Sequence, residues 1–358
     1  MQRTVSGLSL SPSVKVKLVS AGFQFTADLL HLKPLQLGKE AGLSQQEALE
    51  VLQAARTDGD GEGESGRRAG LTALELLQQE DDMRSIVTFC SQLDTALGGG
   101  LPIGKTTEIC GPPGVGKTQL CLQLAVDVQV PLCFGGVGGQ VIYIDTEGSF
   151  LVQRVVDVAT AVVRHCSLLV EDNEQQNAMT TFTMESILSN IFLVRCHDYV
   201  ELLAELHLLL DFILKHPKVR LLVIDSVAFP FRHFDNLSQR SRLLNGIAQQ
   251  LITLATKHRI AVVITNQMTT RLRGGQSQLV PALGESWGHA PTIRLNLCWE
   301  RSQRLAAIFK SPGHMDTTVQ YQITSDGFRD VEQSEQPQRK RARTHMDQSP
   351  GSPKEVCC

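Results

Sequence analysis

Hydrophobic and polar positions divide the chain into stretches of different character. Across residues 1–57 the apolar side chains recur at helical spacing in three short runs, 14–19, 26–32 and 44–55, separated by Gly22, Pro34 and Gly42. Ser44 followed by Glu47 is a capping-box signature at the start of the third run. This pattern predicts a small all-α N-terminal domain; its periodicity fits a helix-turn-helix that touches DNA or protein, and fits plain packing equally well. Residues 58–70, which include Asp58-Gly59-Asp60-Gly61-Glu62-Gly63-Glu64, have no period and read as a flexible acidic, Gly-rich linker.

From 71 to 332 apolar runs of strand length alternate with helical patterns, the signature of an α/β core with a mostly parallel sheet flanked by helices. Strands are expected at 107–110, 140–145, 191–195, 220–225, 261–266, 292–298, 305–310 and 319–323, and helices at 119–128, 151–163, 200–215 and 237–257. Several strands are almost wholly apolar, as strands covered on both faces must be. The last three follow one another without helices, which predicts an antiparallel extension. Residues 171–183, rich in Gln, Asn and Thr, are expected to form a surface excursion, and 333–358 a disordered tail.

Composition narrows the functional classes. The chain has 358 residues, is 42% hydrophobic and carries a net charge of -3, so general electrostatic attraction to DNA or anionic lipid is absent and nucleic-acid contact requires local basic segments. Nine scattered cysteines form no Cys-x-x-Cys pair and have no His at zinc spacing, which argues against a structural metal and for a reducing compartment. The first twelve residues lack the apolar run of a signal peptide, and no stretch reaches the ~20 apolar residues of a membrane span, so no membrane partner is expected. The Cys357-Cys358 pair resembles a prenylation substrate only in its position, and we expect an incidental tail.

The chemistry is concentrated in Gly111-Pro112-Pro113-Gly114-Val115-Gly116-Lys117-Thr118, a G-x-x-x-x-G-K-[ST] phosphate loop between a predicted strand and a predicted helix. Its glycines let backbone N–H groups wrap a phosphate, Lys117 supplies a point charge to the terminal oxygens, and the Thr118 hydroxyl is suited to Mg²⁺. A second carboxylate at the end of a neighbouring strand normally orients the metal, and Leu221-Leu222-Val223-Ile224-Asp225 ends in one. Ser226 after it either adds a polar contact or caps the turn. Tyr143-Ile144-Asp145-Thr146-Glu147-Gly148 sets acids at another strand end, where Glu147 is the candidate for the attacking water and a merely solvated turn is the rival reading.

Thr265-Asn266-Gln267 ends a further strand, and the Gln267 amide is suited to sensing a γ-phosphate. Beyond it, residues 268–289 carry Arg271, Arg273 and Gly274-Gly275, a mobile basic composition, while Phe231-Arg232-His233-Phe234 with Arg240 and Arg242 mixes cations and rings. Both stretches fit phosphate-backbone contact or ordinary solvated loops. In the tail, Arg339, Lys340, Arg341 and Arg343 form a dense basic run; we read it as a nuclear-import signal, with nucleic-acid attraction and a solvated tail as alternatives.

These motifs, in this order, resemble the RecA-like strand-exchange recombinases of eukaryotes, and within them the paralogue branch. The resemblance is carried by Phe89-Cys90-Ser91-Gln92-Leu93-Asp94, Gly98-Gly99-Gly100-Leu101, Thr107-Glu108-Ile109-Cys110-Gly111, Gly116-Lys117-Thr118-Gln119, the Tyr143 to Gly148 run, Thr265-Asn266-Gln267 and Val280-Pro281-Ala282-Leu283-Gly284-Glu285-Ser286-Trp287-Gly288-His289. It implies a RecA-like P-loop ATPase core that binds ATP and Mg²⁺. Lys117, Thr118 and Gln119 belong to the nucleotide site, with Thr118 and Asp225 on magnesium, Glu147 on water, Gln267 as sensor and Arg154 stacked on adenine. Arg232, Arg240, Arg242, Arg271 and Arg273 fall in the two DNA-facing loops.

The implied function is that of a slow DNA-dependent ATPase, an ATP-dependent DNA-binding subunit of homologous-recombination repair. Its implied partners are single-stranded and branched DNA, other recombinase paralogues in hetero-oligomers and the principal recombinase filament, chiefly in the nucleus. An ATP-binding scaffold without turnover is the alternative. No Phe-x-x-Ala polymerisation hook precedes Gly70, which speaks against a long self-assembled filament. In the adenine cap, Ser311-Pro312 is kept, while Met315 and Asp316 stand where the family has proline and glutamate.

Overall fold

The computed structural model describes residues 4–8, 10–23, 25–29, 32–57, 72–81, 84–232, 234, 236–273 and 276–331. The linker 58–70, the basic run 339–343 and Cys357-Cys358 lie outside them. The chain forms two compact units, Met1–Glu80 and Asp81–Cys358.

The smaller unit contains helices α1 (Pro12–Ser20), α2 (Thr26–Leu29), α3 (Pro34–Ala41) and α4 (Gln45–Thr57), followed by α5 (Ala73–Asp81) at the boundary. Its core gathers Val5, Leu8, Val14, Leu18, Leu29, Leu37, Ala48, Val51 and Leu52. Pro34, expected as a break, is instead the first residue of α3, a position whose missing N–H is an orphan in any helix. The reciprocal Ser44–Glu47 cap is formed, with Glu47 Oε2 accepting from Ser44 N at 2.7 Å and Ser44 Oγ from Glu47 N at 3.2 Å.

The larger unit runs β1 (Ser85–Ile86), α6 (Ser91–Ala96), β2 (Leu101–Pro102), β3 (Thr106–Cys110), α7 (Lys117–Asp127), β4 (Gln140–Asp145), α8 (Val152–Leu168), α9 (Asn173–Thr181), α10 (Met184–Ser189), β5 (Ile191–Arg195), α11 (Tyr199–Lys215) and β6 (Val219–Asp225). Then come α12 (Leu237–His258), β7 (Ala261–Asn266), β8 (Met268–Arg273), β9 (Gln276–Pro281), α13 (Gly284–Gly288), β10 (Ile293–Glu300), β11 (Gln303–Lys310), β12 (Thr317–Thr324) and β13 (Gly327–Asp330). The central sheet has the order β13-β12-β11-β10-β3-β7-β6-β4-β5. The strands from β10 to β5 are parallel, and β11, β12 and β13 extend the sheet antiparallel, as the helix-free spacing predicts.

Strand period sorts one apolar run into two cores, because successive side chains point to opposite faces. Tyr143, Val223 and Val263 pack on one face under α7 and α8, while Ile142, Ile144, Leu222, Ile224, Val262 and Ile264 pack on the other under α11 and α12. The stretch 171–183 is a surface excursion as expected, exposed over most of its length, and it carries a helix, α9, capped by Asp172, whose side chain accepts from Gln175 N, with Phe182 buried after it. One expectation is corrected. Residues 268–281 are a two-stranded hairpin, β8 paired with β9, followed by α13, rather than an irregular loop. Among the described residues no helix is long and apolar enough to cross a membrane.

Candidate nucleotide site and its polar relay

The phosphate loop begins where β3, buried throughout, reaches the carboxyl edge of the sheet. Gly111 has φ 156°, and a Cβ there would lie 2.3 Å from the Leu297 carbonyl oxygen of β10, so only glycine lets the chain turn against its neighbour strand. The Tyr321 hydroxyl of β12 donates to Val115 O at 2.8 Å and ties the loop's crest to the antiparallel extension. Lys117 Nζ donates to Gly111 O at 2.8 Å and Pro112 O at 3.2 Å. Burial pulls its pKa below the ordinary lysine value, and the nearby charges of Asp225 and Glu147 oppose that shift.

Asp225, last residue of β6 and 3% exposed, is the polar centre. Its Oδ2 accepts from Thr118 Oγ1 at 2.7 Å and from the Tyr143 hydroxyl at 3.0 Å, and its Oδ1 accepts from Thr265 Oγ1 at 2.5 Å. Burial raises its pKa, and these three hydroxyls pull it back down. The Thr118–Asp225 pair brings a hydroxyl and a carboxylate to the mouth of the phosphate loop. That donor set fits Mg²⁺, which takes one or two carboxylates plus substrate phosphates rather than an all-protein cage. Among the described residues no group of three His, Cys, Asp or Glu side chains could hold a metal by itself.

The two acids after β4 do different work. Asp145 is buried, and its carboxylate accepts from the backbone N–H groups of Glu147, Gly148, Ser149 and Phe150 at 2.9–3.2 Å. It therefore fixes the turn that projects Glu147. Glu147 Oε1 accepts from Ser226 Oγ and from Gln267 Nε2, both at 2.6 Å. Gln267 Oε1 in turn accepts from Arg232 Nε at 2.9 Å and Nη2 at 2.6 Å. Ser226 meets both of its expected roles, since its Oγ also accepts from Phe229 N in the following turn.

Lys117, Thr118, Glu147, Asp225, Arg232 and Gln267 line an open cavity of about 740 Å³, together with Arg154 and Arg304. The Arg154 guanidinium is already engaged: Nε donates to Gln119 Oε1 at 2.7 Å, Nη1 to Ser325 O and Nη2 to Thr324 O at 2.6 Å. Arg304 was missed by the sequence reading. It stacks over the Trp299 ring at 4.3 Å, and its Nε is buried without a hydrogen-bond partner among the described residues. A cation beside the apolar run 305–309, directly cross-strand from Trp299, was the available signal.

The expected DNA-facing residues are dispersed. Arg232 turns into the nucleotide cavity, whereas Arg240 and Arg242 lie on α12, not on a loop. The rings beside them are not a stacking platform: Phe231 is fully buried, and Phe234 packs edge-on against Tyr199 at 4.9 Å. Arg271 sits on β8, exposed and paired with Glu285 of α13 at 2.7 Å. The backbone of Arg273 belongs to the same strand; its side chain and His233 lie outside the described set.

A family model described as Rad51 matches residues 79–331. The chain is 56% identical over 342 residues to the DNA repair protein RAD51 homolog 3 of Cricetulus griseus, covering 92% of this chain and 93% of that protein. It is 42% identical over 266 residues to the protein of the same name in Dictyostelium discoideum, covering 73% and 70%. To the DNA repair and recombination protein RadA of Metallosphaera sedula it is 32% identical over 338 residues, covering 92% and 97%. With a phosphate loop on a largely parallel RecA-like sheet and matches of this length, the chain belongs to the Rad51 family.

Proposed function

We propose that this protein is an ATP-dependent DNA-binding subunit of homologous-recombination repair, acting in the nucleus in complexes with other recombinase paralogues. The observation that carries the reading is the continuous polar relay from Ser226 and Glu147 through Gln267 to Arg232, which begins beside the Thr118–Asp225 pair and passes at Gln267 through the root of the β8–β9 hairpin. The names borne by the relatives, which speak of DNA repair and recombination, support the biological setting.

In this reading Lys117 and the loop amides hold the β- and γ-phosphates of ATP, Gln119 and Arg154 border the base side, and Thr118 with Asp225 hold Mg²⁺. The metal supplies neutralisation of charge that builds up on the phosphate oxygens. Glu147 orients the attacking water and accepts its proton, and Gln267 carries the presence of the γ-phosphate to the hairpin that bears Arg271 and Arg273. Turnover is slow, because three of the four cations that line the cavity are held by protein groups, Lys117 by loop carbonyls, Arg232 by Gln267 and Arg154 by Gln119, and among the described residues only Arg304 is not.

The test is single-stranded DNA affinity with and without ATP. ATP tightens binding in the wild type, and Lys117→Ala removes that gain. Equal affinity in both conditions, or an unchanged gain in the variant, contradicts the switch.

A further inference from the structure

Glu108 is a carboxylate in the middle of β3, three residues ahead of Gly111, and it is 0% exposed. Interior carboxylates of this kind need several donors, and Glu108 has them from three other elements. Asn266 Nδ2 of β7 donates to Oε1 at 2.8 Å, the Trp287 indole N–H of α13 donates to the same oxygen at 2.9 Å, and Arg294 Nε of β10 donates to Oε2. Arg294 is in turn stacked on Phe309. None of the groups already assigned to phosphate, metal or water touches this cluster.

Its location gives it meaning. Asn266 and Gln267 are consecutive at the end of β7, and strand alternation sends one side chain to Glu108 and the other to Glu147. The β8–β9 hairpin leaves from Gln267 and returns at Ala282, whose N–H donates to Gln267 O at 2.8 Å. The next helix, α13, carries Trp287. Both the departing strand and the returning helix are thus fastened to one oxygen atom on the strand that feeds the phosphate loop. Lys310 Nζ fixes the far end of α13 by donating to Gly288 O, His289 O and Pro291 O at 2.7–3.1 Å. Asn266 Oδ1, by contrast, is buried with no hydrogen-bond partner among the described residues, so this amide has an unused acceptor at the point where the hairpin departs.

We propose that Glu108 is a positioning residue that fastens both ends of the β8–β9 hairpin, through Asn266 and Trp287, to the phosphate-loop strand, so that nucleotide binding and hairpin placement change together. This rests on the ATP switch proposed above and names the part of the fold that transmits it. Glu108 does not contact nucleotide; it sets where the hairpin stands when Gln267 moves.

The full-length protein is tested in two ways. In the first, ATP affinity and the ratio of single-stranded DNA affinities with and without ATP are measured for wild type, Glu108→Gln and Trp287→Phe. We expect ATP affinity to stay within about threefold, since charge-assisted phosphate contacts are untouched, while the DNA ratio falls at least about fivefold, within the range of ordinary coupling energies. Trp287→Phe removes the indole N–H and keeps a smaller aromatic ring in its place, so it decides the matter if Glu108→Gln does not fold. In the second, Trp299→Phe leaves Trp287 as the sole tryptophan of the two. Mg²⁺-ATP should change its emission, and adding Glu108→Gln should remove the response while ATP still binds.

A lowered melting temperature with an unchanged DNA ratio means Glu108 is merely structural, and the proposal is overturned. A wild type whose DNA affinity ignores ATP sinks the switch; a silent Trp287 then sinks the Glu108 proposal with it, whereas a responsive Trp287 that loses its signal in Glu108→Gln retains the coupling of nucleotide to α13.

Discussion

The carboxyl edge of β4, β6 and β7 adjoins the β8–β9 hairpin at Gln267, directly after β7, and the two differ in construction. At the edge the polar side chains are held by named partners whether buried or exposed: buried Asp225 by three hydroxyls, buried Asp145 by four backbone N–H groups, and exposed Glu147 by Ser226 and Gln267. The hairpin has exposed residues at Arg271, Ser277, Gln278 and Leu279, and its described ion pair, Arg271–Glu285, is on the surface. Chemistry at the edge needs groups fixed before reaction, whereas contact with a long irregular polyanion needs cations on a segment that can adjust. In the proposed function the molecule combines both, the hairpin joining the edge at Gln267, whose carbonyl accepts from Ala282 N.

The most severe break in that arrangement is at Glu147. Glu147→Gln keeps the hydrogen bonds to Ser226 and Gln267 possible and removes the base, so ATP turnover should fall by roughly 10²–10⁴-fold with nucleotide affinity little changed. Single-turnover phosphate release measured beside calorimetric ATP binding checks both halves. No turnover even in the wild type favours the ATP-binding scaffold instead.

The next effect is on folding. Arg294→Ala leaves the Glu108 charge without its cation in the interior, and the expected loss is about 3–5 kcal/mol in a urea titration. Removing the exposed Arg271–Glu285 pair with Arg271→Ala should cost roughly 0–1 kcal/mol by the same measurement. An equal loss at the two sites contradicts the contrast between the buried polar groups of the sheet and the exposed ones of the hairpin.

Titration of Asp225 sharpens the contrast further. Its folded pKa is raised by burial, so the folded chain holds a proton that the unfolded chain releases at lower pH. The folded state binds more protons in the window between the ordinary aspartate value and the raised one, and stability falls as pH rises through that window. Above it the carboxylate is free to hold Mg²⁺. Nucleotide affinity in magnesium buffer therefore weakens as pH falls toward the window, and Asp225→Asn flattens that dependence, which calorimetry at a series of pH values reads directly.

The smallest effect is at the hairpin itself. Arg271→Ala should lower DNA affinity nearly uniformly across sequences and reduce the salt slope by about one, the signature of a single lost phosphate contact. A change that depends on base sequence contradicts a backbone role.

Much of this architecture was legible in the chain. The bounds of β4, β5 and β7 coincide with those expected; β4 and β7, covered on both faces, end abruptly at the polar residues Asp145 and Asn266. The phosphate loop was legible because each step of it demands a particular residue. The hairpin was not, since Met268-Thr269-Thr270-Arg271 has no apolar face to mark it; the Gly274-Gly275 pair between two six-residue strands was the overlooked sign. Phe231 and Phe234 looked like a surface platform because sequence spacing does not tell an exposed ring from one turned inward onto Tyr199. Glu108 escaped for a related reason: an acid inside a strand announces nothing until the donors of three distant segments meet it.

The Tyr321 hydroxyl on Val115 O makes the antiparallel margin of the sheet a buttress for the crest of the phosphate loop. A substitution there touches no ligand and leaves every motif residue intact, yet it would surface in an assay as impaired nucleotide handling, so damage to this margin can masquerade as a lesion of the catalytic apparatus.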